Sequence, residues 1–294
     1  MQTPTLLITG ANGQVGQELL QLAPQFPQFN LIGVGSTQLD ITDKKAVDAF
    51  FATQTIHYCI NCAAYTAVDK AENDTQQATA VNVEGVRHLA MACQQYGAPL
   101  IHLSTDYVYH HSSPYPITED APTLPQSVYA QTKLDGENVG LTLHHPTMVI
   151  RTSWVYSSFG HNFVKTMLRL GQERAELKVV FDQIGTPTYA KHLAEAILQI
   201  IDQVQQQKIT PQTLHGIFHY SNEGVCSWYD FATIIFQMAK INCQVFPIES
   251  KDYPTPAKRP PFSVLNKGKI KATFGLSIPH WTIGLNSCLA ALDR

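Results

Sequence analysis

Residues 5–16 of the chain read TLLITGANGQVG, an apolar run that leads into three glycines at intervals of three residues. The apolar run predicts a buried strand, and Gly10, Gly13 and Gly16 follow it directly. Glycines at such a turn let backbone amides approach a pyrophosphate and let the next helix pack closely against the strand. The helix predicted over Gln14–Leu22 would place its positive end at that pyrophosphate. A dinucleotide-binding turn is therefore predicted, with a glycine-rich turn that binds no ligand as the alternative.

The alternation of strand and helix continues through the first half of the chain. Apolar runs predict further strands at 31–34, 57–61, 99–104 and 147–151, and amphipathic runs predict helices at 44–52, 75–96 and 127–141. Strands that are apolar throughout and alternate with helices are typical of a parallel sheet covered on both faces. The predicted fold class is α/β, a Rossmann-like doubly wound parallel sheet.

The pattern predicts two structural units. We expect residues 1–153 to form the dinucleotide-binding domain, and residues 177–204, which contain a strand and a helix of the same type, to return to it. Residues 154–176 and 205–294, which include a proline-rich stretch, are expected to form a smaller, partly interleaved C-terminal lobe that binds the substrate.

Composition excludes several functional classes. Of the 294 residues 44% are hydrophobic, enough for a large core, and the net charge of −3 argues against a nucleic-acid-binding protein. No apolar run reaches the roughly 18 residues that span a membrane, and the first ten residues lack the pattern of a signal peptide. Six cysteines over this length do not make a disulfide scaffold. We expect a cytoplasmic, soluble protein with no membrane or nucleic-acid partner.

Tyr129 and Lys133 stand four residues apart in the helix predicted at 127–141, so they share one face. An unperturbed tyrosine has a pKa near 10, and acid–base work near neutrality requires that this value fall by about 2–3 units. An ammonium one turn away and an oxidised nicotinamide would both lower it. Ser104 and Thr105 end the fourth predicted strand, where the ligand crevice of such a sheet opens. A hydroxyl there would bind a substrate carbonyl beside the tyrosine.

The end of the second predicted strand bears on the choice of cofactor. NAD-specific sites usually place an Asp or Glu there to bind the adenosine ribose, whereas this chain has Val34-Gly35-Ser36. A 2′-phosphate would meet no repulsion at this point, and no Arg or Lys stands there to attract one. We expect NADPH as the cofactor, with NADH tolerated, and we expect Asp40 to lie near the adenine.

Taken together, these features resemble the extended short-chain dehydrogenase/reductase superfamily and, within it, the dTDP-4-dehydrorhamnose reductase family. The segments that narrow the resemblance are 61–72, 104–109, 151–156, 162–170 and 182–188, and Arg259-Pro260 followed by Ser263 and Leu265. The resemblance implies NAD(P)H-dependent reduction of the C4 ketone of dTDP-4-dehydro-L-rhamnose to dTDP-L-rhamnose.

The resemblance also implies roles for individual residues. Tyr129 would protonate the C4 oxygen, Lys133 would hold the nicotinamide ribose and lower the Tyr129 pKa, and Thr105 would bind the ketone oxygen. The cofactor would contact Gly10, Gly13, Gln14, Val15, Gly16, Asp40, Ile41, Ala63, Ala64 and Tyr65, together with Tyr129 and Lys133. The substrate would contact Thr105, Asp106, Tyr107, Trp154 and Arg259. Arg259 is expected at the diphosphate because a guanidinium fork suits phosphate. A surface arginine and a core tryptophan are the alternatives for Arg259 and Trp154.

A departure from the family concerns metal. Some members bind magnesium between subunits through three glutamates, of which Glu18 matches the first, while Lys191 and Ala291 stand at the other two positions. We therefore expect no metal, and a homodimer would have to form without one.

Two other functions stay open. One is another nucleotide 4-keto-6-deoxy-sugar reductase, or an epimerase or dehydratase of the same superfamily, enzymes that usually keep NAD tightly bound. The other is a non-catalytic regulator similar to the β subunit of methionine adenosyltransferase.

Overall fold

The computed structural model of the chain describes residues 3–110 and 114–292. The strands are β1 (Thr5–Thr9), β2 (Asn30–Val34), β3 (Tyr58–Asn61), β4 (Leu100–Thr105), β5 (Thr147–Thr152), β6 (Val155–Tyr156), β7 (Glu176–Val180), β8 (Ile184–Gly185), β9 (Thr188–Tyr189), β10 (Gly216–His219), β11 (Cys226–Ser227) and β12 (Gln244–Ile248). The α-helices are α1 (Gln14–Gln21), α2 (Lys44–Thr53), α3 (Val68–Ala71), α4 (Thr75–Thr79), α5 (Gly85–Tyr96), α6 (Val128–Leu143), α7 (Phe163–Glu173), α8 (Ala190–Gln205), α9 (Trp228–Ala239), α10 (Gly268–Phe274) and α11 (Trp281–Leu292).

The central sheet has six strands in the order β10-β5-β4-β3-β1-β2, all parallel. From β1 the chain winds outward to β2 on one side and through β3, β4 and β5 to β10 on the other. The two directions diverge between β1 and β3, and ligands of such sheets bind outside the carboxyl ends of the strands at that point. The predicted doubly wound α/β fold is confirmed.

Alternate residues of β1 explain why the strand is apolar throughout. Leu6 and Ile8 are buried in the cluster that includes helices α1 and α8, whereas Leu7 is buried in a second cluster with α2 and α5. Both faces of the sheet are therefore covered, as the continuous apolar strands predict.

The helix predicted over 75–96 is interrupted. Between α4 and α5 the segment Ala80–Glu84 forms a π-helix, which inserts an extra residue into the turn. The buried Asn82 in this segment bonds the backbone of Tyr65, and its amide donates to Thr132 on α6 at 3.1 Å. An apolar periodicity does not reveal such a local widening, because the contacts that stabilise it come from distant parts of the chain.

The unit boundaries differ from the predicted ones. Strand β7, expected to return to the dinucleotide-binding domain, instead pairs with β12 in the smaller lobe, while α8 packs on α1. Strand β10, expected in the lobe, is the outer strand of the central sheet beside β5. Phe218 of β10 and Phe274 of α10 are buried in the same cluster as α8, so burial of these rings draws the segment onto the sheet. The local sequence of a short strand does not indicate which edge of a sheet the strand joins.

The smaller lobe has its own core. Helices α7, α9 and α11 and strand β7 contribute to one buried cluster, in which Phe231 and Leu285 are fully buried. Across 3–110 and 114–292, none of the helices has the length and apolarity needed to cross a membrane.

Candidate active site

The end of β4 is bonded to α6 by three successive residues of the strand and three residues of the helix spaced one turn apart. The pairs are Leu103 with Lys133, Ser104 with Glu137, and Thr105 with Tyr129. Residues four apart on a helix share a face, so the three helix residues form a row along the strand. We call these pairs the β4–α6 ladder. It brings together the three predicted catalytic residues, Thr105, Tyr129 and Lys133.

The first turn of α6 is held in place from both sides. Ser127 caps the helix by accepting a hydrogen bond from the Ala130 amide at 3.2 Å, and the Val128 amide donates to Glu72 at 2.8 Å. A capping serine is a common start signal, and it lies where the helix is predicted to begin. The capped turn sets the position of Tyr129 relative to the end of β4.

The chain itself does not lower the pKa of Tyr129. Burial raises it to about 12, the Thr105 hydrogen bond opposes that rise, and the neighbouring Asp106 adds to it. In the chain alone the Lys133 ammonium donates to the Leu103 carbonyl at 2.7 Å and does not oppose this rise. The predicted lowering, which includes the oxidised nicotinamide, stays a prediction. The phenol is protonated at neutral pH, as a proton donor must be, but a raised pKa also makes it a weaker acid.

Lys133 is buried, with 2% of its surface exposed. Burial lowers its pKa to about 8, and Glu137 and Cys62 raise it. The side chain is therefore predominantly charged at pH 7 and loses its charge as the pH rises through about 8.

Two further predicted residues lie against the ladder. The Tyr107 ring meets the Tyr129 ring edge to face, with 5.5 Å between centroids. Burial raises the pKa of Asp106 to about 7, while Ser263 and Thr105 favour its ionised form. One oxygen of Asp106, Oδ2, is buried and has no hydrogen-bond partner within the described chain.

The glycine turn lies directly against the segment that follows β3. Gly10 has a φ of +64°, and a Cβ on it would lie 2.5 Å from the Ala63 nitrogen, so only glycine fits there. A Cβ on Gly16 would lie 2.6 Å from the Ala11 Cα, so this glycine is needed for helix α1 to pack on the turn. Helix α1 begins after Gly13 with no side-chain cap from the described residues. Its first backbone amides are thus available to a phosphate.

Two asparagines that the sequence analysis did not single out shape the cofactor side. The Asn61 side-chain oxygen, Oδ1, accepts from the Thr9 hydroxyl at 2.7 Å and from the Ala63 amide at 3.1 Å, which sets the turn into Ala63 and Ala64. Asn82 binds the Tyr65 amide at 2.9 Å. An asparagine inside a helical pattern is a weak helix former, and that signal marks Asn82.

Other predicted cofactor residues serve different contacts. The Gln14 side chain accepts from Asn162 at 3.0 Å and donates to the Val155 carbonyl, so it bonds the smaller lobe. Val15 and Ile41 are buried in core clusters on opposite faces of the sheet. Asp40 is exposed and accepts from the Thr42 amide at 2.9 Å.

On the predicted substrate side, Arg259 and Asp69 form an ion pair. Both Arg259 Nη atoms donate to the Asp69 carboxylate, at 3.2 and 2.8 Å, and the Ala257 amide donates to the same carboxylate at 3.1 Å. The pair lowers the pKa of Asp69. It also lies close enough to Tyr107 for both groups to act on that tyrosine's pKa. The sequence alone does not reveal this partner for Arg259.

Trp154 has a φ of +49°, an uncommon conformation for a bulky residue. Its ring stacks on Trp228, with 3.6 Å between centroids and 10° between planes. Both rings are half-buried. A strained, partly exposed aromatic side chain is typical of ligand sites.

A cavity of about 350 Å³ opens beside Arg259. Its lining includes Asp182, Ser250, Tyr253 and Lys258 from the smaller lobe. A second cavity of about 400 Å³ lies at the outer edge of the sheet, near Gly216 and Leu141 at the far end of α6 from Tyr129. Of the two cavities, the first is lined by the predicted substrate residue Arg259, and the second by none of the predicted site residues.

Glu18 and Lys191 stand at positions where some family members hold a metal. Glu18 is 3% exposed and accepts from the Ser157 hydroxyl at 2.5 Å, and burial raises its pKa. Lys191 acts on it as a nearby positive charge. In the described part of the chain no group of three or more His, Cys, Asp or Glu could hold a metal ion. The expected absence of metal stays a prediction.

The parallel sheet, the glycine turn after β1 and the ladder with its Tyr–Lys pair define a short-chain dehydrogenase/reductase with an added lobe. The sequence profile of the RmlD substrate binding domain family matches residues 4–294. The dTDP-4-dehydrorhamnose reductase of Aggregatibacter actinomycetemcomitans is 39% identical over 292 residues, which cover 97% of this chain and 98% of that protein. The chain belongs to this family, and the resemblance to dTDP-4-dehydrorhamnose reductases is confirmed.

Solved structures agree with this assignment. A dTDP-4-dehydrorhamnose reductase from Clostridium acetobutylicum has a TM-score of 0.92 at 40% identity, and it covers 99% of this chain and 100% of its own. The Bacillus anthracis reductase, solved in complex with NADP, also has a TM-score of 0.92, at 37% identity and the same coverage of both chains.

Proposed function

We propose that this chain reduces the C4 ketone of dTDP-4-dehydro-L-rhamnose to dTDP-L-rhamnose with NADPH. The observation that carries the proposal is the β4–α6 ladder, which sets Thr105, Tyr129 and Lys133 side by side at the carboxyl end of a central strand. The names of the relatives supply the substrate, and the NADP bound to the Bacillus anthracis reductase supports the cofactor.

The residues present fit a nicotinamide dinucleotide. The close approach of Gly10 to Ala63 and the uncapped start of α1 leave backbone amides free for a pyrophosphate. Ala63, Ala64 and Tyr65 would line the cofactor, and Lys133 would hold the nicotinamide ribose. When bound, the reduced nicotinamide supplies the hydride that C4 accepts.

Tyr129 would supply the proton. Its hydroxyl is protonated at neutral pH, so it can donate that proton to the ketone oxygen as the covalent bond between C4 and the transferred hydrogen forms. Thr105 would donate to the same oxygen and hold it beside the tyrosine. The ketone becomes a hydroxyl, and Tyr129 regains a proton from solvent.

Recognition of the nucleotide sugar would fall to the other side of the crevice. Arg259 would bind the diphosphate, exchanging its bond to Asp69 for charge-assisted bonds to phosphate. Asp106 and Tyr107 would lie near the sugar. Trp154 would offer its ring to the sugar or the base.

The remaining properties follow from sequence and site. Ser36 at the end of β2 is exposed and carries no charge, so we propose that NADPH is preferred and NADH tolerated. With a net charge of −3 and no metal cluster in the described chain, we propose a cytoplasmic enzyme without metal or nucleic acid. A homodimer would form without magnesium.

A direct assay tests the function. dTDP-4-dehydro-L-rhamnose is made in situ by a separate epimerase, and the loss of NADPH absorbance is followed, with NADH in parallel. Turnover faster with NADPH is the expected result. NADPH binding without turnover would contradict the proposal and favour another keto sugar or a regulatory role. Purified protein that carries stoichiometric NAD would favour an epimerase.

A further inference from the structure

The third pair of the ladder, Ser104 with Glu137, lies one turn beyond the predicted catalytic residues. Glu137 has no exposed surface, and it is four residues after Lys133 on the same face of α6. Buried carboxylates are costly unless they are paired and hydrogen-bonded. The side chains around Glu137 therefore explain why a buried carboxylate is retained there.

The register of the sheet places two side chains, those of Ser104 and Arg151, beside Glu137. Ser104 of β4 and Arg151 of β5 are lateral partners in the parallel sheet. Ser104 donates to one carboxylate oxygen. Arg151 donates to both oxygens, through Nε at 3.0 and 3.1 Å and through Nη2 at 2.6 Å. The carboxylate is fully bonded from two strands, which immobilises this part of α6 against the sheet.

The far side of Arg151 is also bonded. Its Nη1 donates to the Tyr109 hydroxyl, which bonds the His219 ring at 2.9 Å on β10. Burial lowers the pKa of His219 to about 3, so that ring is neutral. The Arg151 charge is therefore balanced by Glu137 rather than by this chain of neutral groups.

The titratable groups that face Lys133 come from three elements. Cys62 follows β3, and burial raises the pKa of its thiol to about 12. His102 lies on β4, and burial holds its pKa well below the usual value. Tyr129 and Glu137 lie on α6 itself, and Tyr129 is protonated. Of these four groups Glu137 is the only carboxylate; it forms an ion pair with Arg151, and its charge favours the charged form of Lys133.

We propose that Glu137 is a positioning residue for the reaction: bonded to Ser104 and Arg151, it keeps the buried Lys133 side chain charged and in place one turn away. This inference rests on the proposed role of Lys133 at the cofactor ribose. The proposed role differs from a purely structural one, because it predicts that removing the Glu137 charge changes the pH dependence of NADPH binding as well as the stability of the protein.

The test compares wild type with Glu137→Gln, which removes the charge and keeps the shape. NADPH binding is titrated by fluorescence across pH, and kcat/KM is measured in parallel. The midpoint at which binding weakens should move to lower pH by about one unit, with up to about tenfold weaker binding above the wild-type midpoint. Asp135→Asn is the matched control: it is the same change on the same helix, at a partly exposed residue that bonds Gln131. It should leave the midpoint in place.

A second variant covers the risk of misfolding. Glu137→Gln leaves Arg151 as an unpaired buried charge, whereas E137Q/R151M removes both charges and should fold more readily. The double variant should keep a lowered midpoint, because Glu137 is the group that acts on Lys133. Folded charge variants with lower melting temperatures and the wild-type midpoint would overturn the proposal. Failure of both variants to fold would assign the pair to stability and would equally overturn it.

The binding titration separates this inference from the proposed function. A wild-type protein that binds NADPH but does not reduce the keto sugar would contradict the proposed function, while the midpoint shift would still test Glu137.

Discussion

The two sides of the crevice differ in burial and in the nature of their bonds. In the β4–α6 ladder Lys133 and Glu137 are almost completely buried, and they bond to the adjoining strands. Beside Tyr107, the Arg259 and Asp69 side chains keep 25% and 40% of their surface exposed, and they bond chiefly to each other. Chemistry that requires fixed geometry is placed where packing is tight. In the proposed function, recognition would depend on an ion pair near water, whose bonds can be exchanged for bonds to a ligand.

The largest effect is expected from a change at Tyr129, the proposed proton donor of the ladder. Tyr129→Phe removes the proton donor and should lower kcat by about 10²–10⁴-fold. NADPH affinity should change little, because the ring and its contact with Tyr107 remain. Stopped-flow turnover and NADPH titration measure the two quantities. Tyr96→Phe, a change at a partly exposed tyrosine on α5, is the control. Near-wild-type turnover of Tyr129→Phe would remove Tyr129 from the mechanism.

The next effect concerns the charge of Lys133. Burial lowers its pKa to about 8, so the ammonium is present below that value and is lost as the pH rises through it. Wild-type NADPH binding should therefore weaken above about pH 8, and Lys133→Met should bind weakly at every pH. A pH-independent binding constant for the wild type from pH 6 to pH 9 would count against this role.

On the substrate side, Arg259→Gln should act on KM and not on chemistry. Charge-assisted bonds to phosphate contribute about 1.5–3 kcal/mol, so KM for the nucleotide sugar should rise by about 10–100-fold while kcat stays close to wild type. Steady-state kinetics separate the two constants. A fall in kcat with an unchanged KM would mean that Arg259 supports the ladder, and the contrast between the two sides would be lost.

The smallest effect is expected from a change at Asp69, the partner of Arg259. Asp69→Asn weakens the bond that a diphosphate must replace at Arg259, so KM should fall by about twofold to fivefold, the range of a partly exposed ion pair. Asp48→Asn, which breaks the exposed pair of Lys44 and Asp48 on α2, is the control and should change nothing. An increase in KM for Asp69→Asn would show that Asp69 itself holds the substrate.

Sequence patterns predicted the parts of the fold that depend on local periodicity. The glycine turn, the helix start at Ser127 and the two-sided strands are of this kind, and so is the i, i+4 pairing of Tyr129 with Lys133. The π-segment around Asn82 and the place of β10 at the sheet edge depend on partners far along the chain, which no local pattern contains. The same holds for the bonds of Glu137 and of Arg259. Arg151 lies 14 residues from Glu137, and Asp69 lies 190 residues from Arg259.

The pKa of Tyr129 depends on features that residue spacing does not contain. The sequence places a lysine one turn from Tyr129, which suggests a lowered pKa. In the fold the ammonium bonds to the Leu103 carbonyl, and burial of the phenol dominates. Spacing predicts which groups are neighbours, whereas the balance between burial and charge depends on the surrounding packing.

The measurement that tests the central claim most directly follows the hydrogen itself. NADPH carrying deuterium at the transferred position is given to the protein with dTDP-4-dehydro-L-rhamnose, and the sugar product is examined by mass spectrometry and NMR. The account predicts one deuterium at C4 of dTDP-L-rhamnose for each NADPH oxidised. A product without deuterium at C4, or no product from protein that binds NADPH, would contradict it.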